Sequence, residues 1–442
     1  MVPPYQKMME GTLSINDLFA QHNEHRIFFP RLAMLVIERL SFFNVVPEMY
    51  LSWLLLTATV VIIYCMYKKC NRDWDVRAIA FFLPIALLMF SFRQEEGILW
   101  GFECQIYLAL FCVVAAIFLL DRAPRSGRFM VAALLAGVVA SYSFLSGLIV
   151  WPVGIIQISL WADRTVTRVR SLLLWASVGV VASALYVNDF HIPNSAAISH
   201  SPLRMVEYFL AYIGAPFTFQ LAYLSASVAA VLAIVAGIVF FQALKGNSLK
   251  ENGVWFSLII FAVLSAAVTA AGRSGLGATE ALSSRYTPIS TLGVVGLYSF
   301  ALSASKRYNG IGRRFPVHAL LTLILLALVV STGAGWHIGQ QTRTEREIAI
   351  GVLQNYQKEP DSTISRYLTP NASEVREWAP YLQANGLNVF VRGSENATSE
   401  PSTTTLRIKN LNEQITGLMR LGGVDIGERL AAHIVSRFAH CL

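Results

Sequence analysis

The sequence predicts an all-α, polytopic transmembrane helix bundle with a small soluble C-terminal tail, and three observations carry that expectation. Hydrophobic residues fill 55% of the 442 positions and charged residues only 14%, where a soluble domain carries about a quarter charged; lipid has to be the main solvent. Apolar runs near the ~20 residues that cross a bilayer recur along most of the chain. The loops between those runs alternate between rich and poor in Lys and Arg.

Taken in order, residues 1–48 hold no span. Their second half reads as a helix lying in the membrane interface: Pro30 suits a first turn, the run Arg31 to Phe43 stops ahead of Pro47, and Glu38 and Arg39 mark a polar face too charged for the bilayer centre. Spans are then drawn at 50–67, 77–92, 103–120, 129–143, 146–162, 171–187, 219–241, 253–271, 288–305 and 317–336, ten in all. The first of them begins near Tyr50 and is followed by many others, so no cleavable leader is expected. Only Ser143 to Ser146 joins the fourth span to the fifth, which predicts two short helices in a tight hairpin. After Trp336 the composition turns soluble, with 11 Lys/Arg balanced by 11 Asp/Glu over residues 337–442. Three segments are therefore expected: 1–48 at the outer face, the bundle 49–336, and the tail 337–442. Within the tail, Ser373 is placed to cap a helix that Gly386 ends, Leu387 to Arg392 reads as a short strand, and 396–405 as a loop.

One set of loops carries 16 Lys/Arg, from Lys68 and Lys69 through Arg313 and Arg314, whereas the intervening loops carry 4, namely Arg93, Arg204, Arg273 and Arg285. The positive-inside rule puts the first set in the cytoplasm and both termini outside. An N-out start with no span ahead of it leads us to expect one more helix upstream of Met1. The net charge of +8 is scattered between apolar runs instead of gathered on one soluble face, so nucleic acid is not an expected partner. Five cysteines form no CxxC pair, and neither a zinc site nor a disulfide framework is indicated.

Four outward segments hold the polar residues that carry chemistry. Asp17 precedes the run His22-Asn23-Glu24-His25-Arg26; a carboxylate flanked by imidazoles and a guanidinium suits base work, and Arg26 suits a phosphate oxygen. The alternative is that this run caps and solvates the interfacial helix. Arg93-Gln94-Glu95-Glu96 is followed by Glu103 and Gln105 at the mouth of a span, where Glu103 or Gln105 is placed to face a cavity instead of lipid; Arg93 pairing with Glu96 is the plainer reading. The stretch 188–218 carries Asp189, His191, His200 and Arg204 without metal-ligand spacing and is expected to include a re-entrant or interfacial helix from about Tyr208. Finally, Arg273 to Tyr286 contains Glu280 and ends Ser283-Ser284-Arg285-Tyr286 ahead of a helix, which is a natural anion site or an interfacial anchor. No Walker or GxGxxG run is present, and the outer side holds no nucleotides, so an enzyme there has to use a substrate already activated in the bilayer.

The layout resembles that of bacterial members of the GT-C superfamily of membrane glycosyltransferases. More narrowly, the resemblance lies in His22-Asn-Glu-His-Arg-Ile27 followed by Phe29-Pro-Arg-Leu32, in Gly147-Leu-Ile-Val-Trp-Pro152 and in Ser284-Arg285-Tyr286. It covers the whole membrane part and implies a polyprenyl-phosphate-linked sugar donor, a glycan or lipid-linked acceptor at the outer face of the cytoplasmic membrane, and inversion at the anomeric carbon. It also implies a catalytic acid in the first outer loop, here Glu24 or Asp17. Substrate contacts are expected from His22, His25, Arg26, Arg93, Glu96, Arg273, Glu280, Arg285 and Tyr286. No residue pattern asks for a metal or other cofactor. Members of the superfamily begin with a helix ahead of that loop, and this chain departs from them there. A lipid-linked glycan polymerase or ligase, and a transporter or flippase without catalysis, are the competing readings.

Overall fold

The computed structural model describes residues 1–70, 76–161, 165–192, 197–199, 201–246, 248–306, 311–369 and 371–391. His200, Cys441 and the loop expected at 396–405 lie outside the described residues.

The helices in chain order are α1 (Val2–Met9), α2 (Ile15–Phe19), α3 (Phe28–Ser41), α4 (Val46–Cys70), α5 (Val76–Met89), α6 (Glu95–Leu99), α7 (Cys104–Leu120), α8 (Gly127–Ser141), α9 (Val150–Ser159), α10 (Thr165–Val187), α11 (Pro202–Gly214), α12 (Ala222–Lys245), α13 (Gly253–Arg273), α14 (Thr287–Lys306), α15 (Ile311–Gln354), α16 (Asp361–Tyr367) and α17 (Ala372–Ala384). Between α2 and α3 runs a two-stranded antiparallel ribbon, β1 (Gln21–His22) and β2 (His25–Arg26), with His22 opposite His25.

Among the described residues eight helices are long and apolar enough to cross a membrane, and α8 and the stretch Leu145–Ser159 are shorter apolar helices. The chain is thus an all-α, multi-pass membrane protein, and the expected ten spans become eight plus a short pair. At 1.5 Å per residue each arm of that pair is only about 22 Å long, less than the ~30 Å hydrocarbon core. Dropping two consecutive spans leaves the parity of the remaining loops unchanged. The hairpin closes tightly because Gly147 lets the backbones meet: a Cβ there would sit 1.9 Å from the Ala140 carbonyl oxygen. Further in, Gly154 makes room for the Trp175 indole, whose N–H donates to the Trp151 carbonyl (2.9 Å), and the Trp151 N–H donates to the Ser141 hydroxyl (2.9 Å).

The chain divides into two compact units. The membrane unit takes Leu18–Leu32 and Glu48–Trp336. Its interior is built on α7 and on the span that contains α14, both of which are mostly buried, whereas α4, α10 and α12 leave most of their residues outside the buried core. Small residues allow the close packing of α14 on α13, where Gly293 and Gly296 face Ala262 and Trp255. The second unit takes Met1–Asp17, Ala33–Pro47 and the residues from His337 onward. Here Tyr5 meets Phe43 edge to face at 5.1 Å, and Asn388 donates from its backbone and side-chain amides to the Phe42 and Phe43 carbonyls (2.9 and 3.0 Å). These contacts hold the N-terminal segment and the start of the tail together.

Three local expectations are corrected. Glu38 and Arg39 do not share a polar face, because Glu38 is buried while Arg39 is exposed; the outward stripe of α3 is Val36 and Leu40, one turn apart. Helix α17 is capped by Asn371, whose side chain accepts from the Ser373 amide (3.3 Å), two residues ahead of the position expected. Its end does fall at Gly386, at φ +61°. Of the strand expected over 387–392, Asn388–Phe390 form a single 3-10 turn, for with no neighbouring strand among the described residues an extended segment leaves its backbone groups unmatched, and Arg392 lies outside the described residues.

Candidate functional site

The site grows from the ribbon that follows α2. His22 and His25 face each other across a two-residue loop, Asn23-Glu24, and Asn23 takes the left-handed conformation (φ +50°) that such a loop requires. This turn projects Glu24 away from the ribbon. Arg26 anchors the ribbon from behind: its guanidinium donates to the carbonyls of Phe19, Tyr186 and Asn188. The Tyr186 hydroxyl completes the anchor, accepting from the Arg26 amide (3.2 Å) and donating to the Glu24 carbonyl (2.7 Å). Arg26, read from the sequence as a phosphate ligand, is thus held by backbone carbonyls.

Glu24 pairs with Arg273, 249 residues away at the end of α13, and both side chains are largely buried. The His25 ring stacks on Phe144 (4.1 Å between centroids), and its Nδ1 accepts from the Leu145 amide at the tip of the α8–α9 hairpin (3.2 Å). With Nδ1 accepting, the proton of a neutral ring sits on Nε2, which lies 3.5 Å from Glu24 Oε1. Burial works against the Glu24 carboxylate, but His25 and Arg273 outweigh it and hold its pKa below the usual carboxylate range. Burial pushes His25 down to about 3, against the pull of Glu24. At neutral pH His25 is therefore an uncharged imidazole that turns its Nε2 side to Glu24, and Arg273 is the full positive charge beside the carboxylate.

A second pair lies beside the first. Arg285, in the 3-10 turn Ser284–Tyr286 ahead of α14, donates to Glu280 (2.9 Å), and its charge is also felt by Glu96 and Glu103. The Tyr286 ring packs against Tyr212 of α11 at 5.3 Å. Tyr208, one turn earlier on α11, is buried in the neighbourhood of Tyr286, Glu280 and Arg273. The turn is pinned from the α6 side, since the Ser284 hydroxyl donates to the Arg93 carbonyl (3.1 Å) and accepts from the Glu96 amide (3.2 Å). His22 closes another edge, its ring 5.0 Å from Phe102.

The structure thus brings His22, Glu24, His25, Glu96, Arg273, Glu280, Arg285 and Tyr286 into one neighbourhood. Arg93 is used differently. Buried at 2% exposure, it donates to the carbonyls of Ala215, Thr218 and Leu282 and ties three loops together. Asp17 belongs to the other unit, where it accepts from Lys7 (2.5 Å) and from the Ser14 amide and hydroxyl (2.9 and 2.7 Å). His191 offers its backbone to Gln21, and its imidazole is exposed. The structural contribution of Tyr186 has no signal in the sequence, where it is one aromatic residue in an apolar run; Tyr208 and Glu103 stand beside polar residues and are easier to find. Among the described residues no group of three or more His, Cys, Asp or Glu side chains is arranged to hold a metal ion.

A buried, ionised carboxylate with a fixed imidazole and a guanidinium can accept a proton, and two arginines can balance a developing negative charge. Comparisons of the chain with protein families, with curated proteins and with solved structures give no match.

Proposed function

We propose that the chain is a membrane glycosyltransferase that moves a sugar from a polyprenyl-phosphate donor to a glycan or lipid-linked acceptor at the outer face of the cytoplasmic membrane. The observation that supports this most is the largely buried Glu24–Arg273 pair with His25 set against it. Ion pairs inside an apolar protein are costly unless they are used. The outward placement rests on the distribution of Lys and Arg among the loops.

In this reading the acceptor hydroxyl oxygen attacks the anomeric carbon while its proton passes to Glu24. The bond from that carbon to the phosphate oxygen breaks, its electron pair leaving with the phosphate, and the configuration inverts. Arg273 has two partners in turn. Before substrate arrives it neutralises Glu24; a donor phosphate competes for the same guanidinium, and as it draws Arg273 away the Glu24 carboxylate becomes the stronger base.

The test is transfer of radiolabelled sugar from polyprenyl-phosphate donors to envelope acceptors in membranes that carry wild type or Glu24→Gln at equal protein level. Transfer lost in the variant supports the enzyme and its base together. No transfer by a folded, abundant wild type overturns the reading in favour of transport, and formation of long glycan products points instead to a polymerase or ligase.

A further inference from the structure

The two arginines of the site sit in different company. Arg273 is paired with Glu24 and its charge also reaches Glu103, whereas Arg285 is paired with Glu280 and its charge reaches both Glu96 and Glu103. A phosphate offers only acceptor oxygens and negative charge, so the acid-rich side of Arg285 suits it poorly. Around that arginine, however, several buried polar atoms have no hydrogen-bond partner among the described residues: Glu103 Oε2, Gln105 Oε1, Arg285 Nε and the Ser283 and Thr287 hydroxyls, with the Glu103 and Gln105 side chains otherwise bonded to each other. Glu103 and Gln105 are each only 3% exposed. Buried polar groups of this kind are expensive to leave unmade and are normally matched.

We infer that the Arg285–Glu103 side of the site is the subsite for the sugar ring of the donor, separate from the phosphate side at Arg273; the inference rests on the transferase reading above. Ring hydroxyls donate to Glu103 and Gln105 and accept from Arg285, so a neutral, hydroxylated ring matches both kinds of unpartnered atom. Phe102 directly precedes Glu103, and its half-buried ring packs near His22.

The experiment uses the full chain in nanodiscs of phosphatidylethanolamine and phosphatidylglycerol, which carry no sugar. Binding is measured for a short-chain polyprenyl phosphate and for its esters with glucose, galactose, mannose and N-acetylglucosamine. Wild type is expected to bind at least one ester about 10-fold more tightly than the bare phosphate, and Glu103→Ala to remove that preference while bare phosphate changes by less than about 2-fold. Glu103→Gln, which keeps the shape, guards against misfolding and is expected to retain part of the preference. Equal weakening of ester and bare phosphate in both variants overturns the inference, because Glu103 then only supports the fold. So does a wild type that prefers no ester, which means the buried atoms hold water. Arg273→Ala addresses the underlying reading separately: if bare phosphate still binds that variant as it binds wild type, the phosphate assignment fails whatever the sugar preference.

Discussion

Two carboxylates of the N-terminal segment, Asp17 and Glu24, look alike in sequence, and each finds a cation. The pairs they form teach opposite lessons. Asp17 is served locally: Lys7 and Ser14 supply its bonds and hold its carboxyl far below the usual range, but Lys7 is half exposed and water competes for every contact. Glu24 finds its partner 249 residues away, under cover, with a neutral imidazole fixed beside it. Local satisfaction makes a cap, whereas a long-range partner held in a buried patch makes a candidate for chemistry.

The sharpest way to break this contrast is the pair Glu24→Gln and Asp17→Asn. Sugar transfer in membranes is expected to fall by about 100-fold or more in the first, the scale of a lost general base, and to stay near wild type in the second. Equal losses would erase the distinction. Next in size, Arg273→Ala strands a largely buried carboxylate and is expected to cost about 3 kcal/mol of stability, whereas Lys7→Ala is expected to leave the melting temperature nearly unchanged; thermal unfolding in detergent compares them. Gly147→Ala is expected to cost about 2 kcal/mol, because its Cβ collides with the Ala140 carbonyl and the hairpin tip that holds His25 has to move. A lower melting temperature together with reduced transfer checks that coupling.

The smallest effect per step is in pH. His25 has a folded pKa of about 3, below its ordinary 6.5, so between these values the unfolded chain binds more protons and stability falls as pH is lowered. The slope is expected to approach, without reaching, about 1.4 kcal/mol per pH unit. The lowered Glu24 pKa acts in the same direction further down: its contribution is present above the unfolded carboxyl value and is lost as pH falls through the folded one. His25→Asn removes the first part of this dependence, and melting curves across pH 4 to 7 would show a flatter profile if the assignment holds.

Much of the bundle was legible because lipid imposes one requirement, a long apolar helix, that each segment meets by itself. The short hairpin was visible in the four residues that join its arms, and the helix expected near Tyr208 appears as α11. What the sequence understated was the length limit on α8 and α9. At the site, the residue types were legible and their duties were not: Arg26, Arg93 and Arg285 look equally suited to an anion, yet Arg26 and Arg93 hold carbonyls while Arg285 meets carboxylates. Which acceptor a guanidinium reaches depends on loops far apart in the chain.

By itself, then, the sequence determined the class of the molecule, its apolar helices and the polar segments between them, since hydropathy and charge act residue by residue. Only the tertiary structure decided that Glu24 meets Arg273, that Arg93 is a strut, and that Asp17 belongs to another unit, because burial and pairing arise only when distant segments pack.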